Sequence, residues 1–118
     1  MNPIKEVAPS FGQMVITEKY ERVIAYLYPI AQSMPRKHGI ARDMFLRRLL
    51  GIPELIFTAG KSRQKSKVYI VDSALADLRF WLRFINSIGE LSDGQLQTAQ
   101  ILIAEVGCMV GSWMNNHG

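Results

Sequence analysis

Nine of the fourteen Lys and Arg residues fall between Arg36 and Lys67, opposed only by Asp43 and Glu54, so this 32-residue segment carries +7. The first 35 residues set three bases against three acids, and residues 68–118 set two against five, giving −3 and the chain's total of +4. Positive charge gathered in this way along a chain is the electrostatic footprint of polyphosphate binding. Arg36, Lys37 and His38 stand just ahead of one helical segment, Arg42, Arg47 and Arg48 lie within it, and Lys65 and Lys67 open the next. Cations at a helix N-terminus oppose the macrodipole by roughly 0.3–1 kcal/mol each. Beside free backbone N–H groups, however, they suit an anion. Lys61 and Arg63 follow a helix C-terminus, where the dipole favours them, and so carry less meaning.

Arg79 and Arg83 are more pointed. They share a helix face at i, i+4 spacing with no carboxylate three or four residues away, and within the helix they repel. Either a carboxylate from another helix, such as Glu105, neutralises them, or a ligand phosphate does. Sequence-specific readout is not expected, because no recognition-helix turn, zinc knuckle or aromatic RNA-binding sheet is visible. Backbone-dominated, salt-sensitive binding is what these residues allow.

Other chemistries find no support. His38 and His117 are the only histidines and neither has a metal-ligand partner at i+3 or i+4; the Glu-x-x-His pairs of a di-iron bundle are absent. The single cysteine, Cys108, excludes an intrachain disulfide and reads as a small buried thiol in an apolar helix. No glycine-rich phosphate loop and no Ser/His/Asp set can be assembled, and Asp72 and Asp77 are too sparse for a two-metal nuclease. The expectation is a protein that is not an enzyme and needs neither metal nor cofactor. A 48% hydrophobic share over 118 residues fits one folded domain. Its apolar runs are too short to span a membrane, and no signal-peptide pattern opens the chain, so it reads as cytoplasmic and soluble.

The elements that must position these residues are helical almost throughout, since apolar residues recur with no period-two alternation. The first helix is expected over roughly 11–33, with Ile16, Tyr20, Val23, Leu27 and Ile30 on one stripe, Ser10 and Gln13 at capping-box spacing, and a kink or early end near Pro29. The second runs roughly 40–59 and stops at Gly60 as a left-handed cap, with Gly51-Ile52-Pro53 bending or splitting it. The third spans roughly 66–88 and is closed by Gly89. The fourth spans roughly 93–115, with Ser92 and Gln95 at capping-box spacing. Short connections favour an all-α, up-down-up-down antiparallel four-helix bundle, preceded by a loose arm at residues 1–9.

One bundle has more apolar surface than it needs. The third helix has a core arc of Val68, Val71, Ala74, Leu75, Leu78, Leu82 and Ile85, with Tyr69, Phe80 and Phe84 on the far side. The second sets Met44, Phe45, Leu49 and Ile52 against Leu46, Leu50 and Phe57. Such second arcs mark an oligomer interface, and burying each large side chain contributes on the order of 1.5–3 kcal/mol. The alternative is that both helices are simply more buried than an ideal bundle allows. In the fourth helix, Ala104, Gly107 and Gly111 form a strip of small residues suited to a close helix approach.

The stretch Tyr26-Leu27-Tyr28-Pro29-Ile30-Ala31-Gln32-Ser33-Met34-Pro35-Arg36-Lys37-His38-Gly39 resembles the accessory variability determinant proteins of diversity-generating retroelements, as do Leu78-Arg79-Phe80-Trp81-Leu82-Arg83-Phe84 and Ile103-Ala104-Glu105-Val106-Gly107. The likeness runs in register from Pro3 to Trp113. It implies a four-helix bundle that assembles as a homopentameric barrel with a positive surface. It further implies association with the retroelement's reverse transcriptase and with nucleic acid, chiefly the template-repeat RNA and possibly DNA, in making the mutagenised cDNA. Arg36, Lys37, Arg79 and Arg83 stand at family-matching basic positions. Pro53 departs from the family pattern, where uninterrupted helix is expected. Two other roles are compatible with the residues: a general RNA-binding bundle, and a protein-only scaffold whose basic surface meets an acidic partner.

Overall fold

The structure, a computed structural model, describes residues 11–62 and 64–116. The arm at residues 1–9, the cap at Ser10, Arg63 and His117 lie outside the described residues. Four helices account for nearly all of the remainder: α1 (Phe11–Gln32), α2 (Gly39–Ser62), α3 (Lys65–Ser87) and α4 (Asp93–Asn116). A single 3-10 turn, Arg36–His38, leads into α2, and no strand occurs among the described residues. Each helix packs on its neighbours in the chain and α4 closes on α1, while the backbones of the diagonal pairs α1/α3 and α2/α4 stay apart. With connections of only a few residues, this is the expected antiparallel up-down-up-down arrangement.

The core is the meeting of four apolar stripes. Ile16, Tyr20, Val23 and Leu27 of α1 are buried against Phe45, Leu49, Ile52 and Ile56 of α2 and Val68, Val71, Leu75, Leu78, Leu82 and Ile85 of α3. The α4 contribution is Ala99, Ile103, Val106, Val110 and Trp113. Ile30, placed on the α1 stripe by its spacing, is only partly buried.

Helix α2 is one continuous helix through Pro53, against the expected bend or break. Proline cannot donate the N–H that would normally reach the carbonyl four residues back, and here that carbonyl belongs to the fully buried Leu49. The Tyr20 hydroxyl of α1 donates to the Leu49 carbonyl oxygen at 2.5 Å and takes the missing amide's place. Burial pushes the Tyr20 phenol far above the ordinary tyrosine range, so it remains a neutral donor at any working pH. Pro29 lies in a different setting. The carbonyl it frees is that of exposed Ala25, where water suffices, and α1 ends three residues later at Gln32.

The ends of the helices divide the expectations. Ser92 and Gln95 form the reciprocal capping box, with the Gln95 amide donating to Ser92 Oγ at 3.0 Å and the Ser92 amide to Gln95 Oε1 at 2.9 Å. Gly89 closes α3 at φ +86°, and the Glu90 amide donates back to the Ile85 carbonyl at 3.1 Å, the long bond of a Schellman ending. Gly60, by contrast, is not a cap: α2 continues past it to Ser62. A side chain at position 60 would collide with the carboxamide of the buried Gln13, so this glycine leaves room for α1 rather than ending α2.

Tyr20→Phe is expected to lower stability by about 1–3 kcal/mol, because the buried Leu49 carbonyl loses its donor. The same change should cost far less in a Pro53→Ala background, where the helix amide returns; denaturant unfolding of the four-member cycle measures this, and strict additivity would contradict the substitution. Gly89→Ala should cost about 1–2 kcal/mol for its left-handed backbone. Gly51→Ala, helical with nothing within 4 Å of the added methyl, should instead stabilise by up to about 1 kcal/mol.

Candidate nucleic-acid interface

Because α2 is unbroken, the cations of residues 36–67 do not form a single patch. At 24 residues the helix is roughly 36 Å long. Arg36 and Lys37 sit at the end of the bundle where α1 meets α2 and α3 meets α4, and Lys61, Lys65 and Lys67 sit at the opposite end. Charge that is contiguous along the chain becomes two basic poles, with Arg47 and Arg48 between them.

Several of the basic residues are occupied within the chain. Arg48 Nε lies 3.2 Å from Asp77 Oδ2 of α3, and its guanidinium stands 5.1 Å from the Trp81 ring. Trp81 in turn meets Phe80 and Phe84 edge to face at 5.8 and 5.9 Å, so Arg48 belongs to the α2/α3 packing. Arg42 Nε is 3.2 Å from its neighbour Asp43. His38 Nε2 is 3.5 Å from Glu90, the residue that follows Gly89 in the α3 ending, and this pair ties the 3-10 turn to the α3–α4 connection. Asn86 holds the same connection by donating to the Leu91 carbonyl at 2.8 Å and to Asp93 at 2.9 Å.

The other seven nominated residues, Arg36, Lys37, Arg47, Lys65, Lys67, Arg79 and Arg83, make no ion pair among the described residues. Glu105, the acid nominated to neutralise Arg79 and Arg83, pairs instead with Lys19 of α1 at 3.8 Å. Arg79 lies over α4, with its Nη2 3.0 Å from where a side chain at Gly107 would begin. Gly107 therefore makes room for a guanidinium, not for a neighbouring helix. Gly111 has open space around it and Ala104 is exposed, so no helix of the same chain closes on this strip. Helix α3 begins at Lys65 with no acid in its first turn and no side-chain bond from Gln64, which leaves that pole without internal neutralisation.

The apolar residues set apart as an interface are largely in the open. Tyr69 and Phe80 are each 52% exposed, with Phe84, Leu50 and Phe57 also exposed and Leu46 half-buried. Leu46, Arg47, Leu50 and Gly51 line a shallow depression of about 570 Å³ along α2. Met14 and Ile101, which helical spacing did not single out, are exposed too. Cys108, read as buried, is exposed; the phase that buries Ile103, Val106 and Val110 turns Cys108 outward, onto the face that carries Thr98, Glu105 and Ser112. Among the described residues no group of His, Cys, Asp and Glu is placed to hold a metal ion, and no helix is long and apolar enough to cross a membrane.

No curated protein matches the chain. The bAvd-like family matches it over residues 14–117, which takes in most of α1, the whole of α2, α3 and α4, and both basic poles. The chain thus belongs to the bAvd-like family, the bacterial accessory variability determinants, and is an accessory protein of a diversity-generating retroelement.

Proposed function

We propose that copies of this chain assemble into a homo-oligomer, a pentamer by family resemblance, which presents basic side chains to the template-repeat RNA and its cDNA and a surface to the reverse transcriptase, with no catalysis of its own. The observation that carries the reading is the set of cations left without a carboxylate. Arg36 and Lys37 at one pole, Arg47 between, and Lys65 and Lys67 at the other make no ion pair among the described residues. Arg36, Lys37, Arg47 and Lys65 are exposed and Lys67 is half-buried, and a polyanion gains from meeting many such charges at once through release of its counterions. Assembly multiplies the effect, since each added copy contributes two more poles to one particle and weak contacts gain avidity.

The exposed Tyr69, Phe80, Leu50 and Phe57 support the assembly half of the proposal, because apolar side chains of this size are rarely left to water without a partner. Arg42, Arg48 and His38 take a secondary place, each being engaged by an acid of its own chain. Arg79 and Arg83 have a different setting, beside the exposed Phe80 and Phe84.

A variant carrying Arg36→Glu, Lys37→Glu, Lys65→Glu and Lys67→Glu should lose retention of single-stranded RNA and fail to support cDNA synthesis with the reverse transcriptase, while circular dichroism and oligomer mass stay unchanged. For milder Gln substitutions the log–log salt slope of RNA binding should fall by about 0.7 for each phosphate no longer neutralised. Undiminished RNA binding and cDNA yield in the quadruple variant would remove the two poles from the function.

A further inference from the structure

Resting on the proposed phosphate binding, we infer that each copy grips one turn of double-stranded, B-form DNA laid along α2. Both basic poles lie at the tips of this one helix. Arg36 and Lys37 precede its first residue, Gly39, while Lys61 and Lys65 stand on either side of its last, Ser62. At 24 residues the helix holds the poles roughly 36 Å apart. One turn of B-DNA rises about 34–36 Å, so phosphates of one strand recur at the spacing of the poles.

The charges between the poles keep the same register. At 3.6 residues per turn, the charged residues Asp43, Arg47, Glu54 and Lys61 fall on one line of α2, and all four are exposed. That line runs opposite the core stripe of Phe45, Leu49, Ile52 and Ile56. Lys61 lies 14 residues beyond Arg47 and Lys37 lies ten before it, or roughly 21 and 15 Å along the axis. A duplex divides its own length unequally in the same way. A line drawn along it meets each backbone once per turn, with the wide major groove on one side of the second backbone and the narrow minor groove on the other. The lower pole, Arg47 and the upper pole thus stand at three successive backbone crossings.

The acids fall where a duplex has no phosphate. Glu54 is midway between Arg47 and Lys61, over the major groove, and makes no ion pair among the described residues. Asp43 falls in the shorter interval and is held by Arg42. A single strand can meet the poles one at a time, but laid along α2 it would carry its phosphates past both acids. Every contact in the grip is to backbone, so it needs no base readout.

The test is a length series of double-stranded DNA probes at one salt concentration, read by fluorescence anisotropy. Duplexes of about 5 base pairs cannot reach both poles, and those of about 12 can. Affinity should step up at least tenfold between them and then rise only in proportion to length. Arg36→Gln with Lys37→Gln, or Lys61→Gln with Lys65→Gln, should abolish the step. Binding of the shorter duplex should merely halve, because one pole remains, and helicity should not change. Glu54→Lys should raise affinity for single-stranded DNA severalfold more than for duplex. Double-stranded RNA, whose A-form grooves are spaced differently, should show no step at this length. A smooth rise with length, a step that survives loss of either pole, an equal gain for both DNA forms from Glu54→Lys, or an equal step with double-stranded RNA would overturn the one-turn grip and leave phosphate binding standing. Absence of salt-sensitive binding to every probe would overturn phosphate binding itself.

Discussion

The bond from the Tyr20 hydroxyl to the Leu49 carbonyl is the constraint on which the rest of the molecule depends. Without it α2 would carry a buried, unpaired carbonyl at its middle, an expense of about 1–3 kcal/mol, and the helix would gain by bending at Pro53. A bent α2 could not keep Phe45, Leu49, Ile52 and Ile56 together in one core. Nor could it hold Arg36 and Lys37 at one end of the bundle and Lys65 and Lys67 at the other. Through one phenolic donor, a proline in the middle of α2 is absorbed with the helix unbroken.

Much of the fold was legible because the relevant signals are local. Apolar stripes at helical spacing located α1 to α4 within a few residues, and the capping box at Ser92 and Gln95 and the glycine ending at Gly89 are chemistry contained within a few adjacent residues. What failed was long-range. Gly60 has the composition of a cap, and only the arrival of Gln13 from 47 positions earlier gives it another role. Pro53 has the composition of a break, and only Tyr20 from another helix cancels it. The apolar character of Cys108 points by itself to burial, whereas the residue shares the exposed face of α4 with Gln97, Thr98, Glu105 and Ser112, opposite the core stripe of Ile103, Val106 and Val110.

The charges show the same limit. Residues 36–67 are a dense cluster in chain order, yet a helix is a rod, and a rod separates what the chain order places side by side. Which cations are neutralised also depends on acids far along the chain: Asp77 takes Arg48, Glu90 takes His38, and Lys19 takes Glu105 away from Arg79 and Arg83. The seven cations left over come from two different helices and the turn before α2, and the property they share is a lack of partners that only the three-dimensional arrangement exposes.

If these unpartnered cations exist to meet phosphate, the most direct measurement is the affinity of the assembled protein for a single-stranded RNA of unrelated sequence, followed across a series of salt concentrations. Phosphate binding predicts a steep linear fall of log affinity with log salt, with a slope of about −0.7 for every phosphate neutralised, and one that corresponds to several phosphates per particle. A slope near zero, or no binding even at low salt, would contradict it.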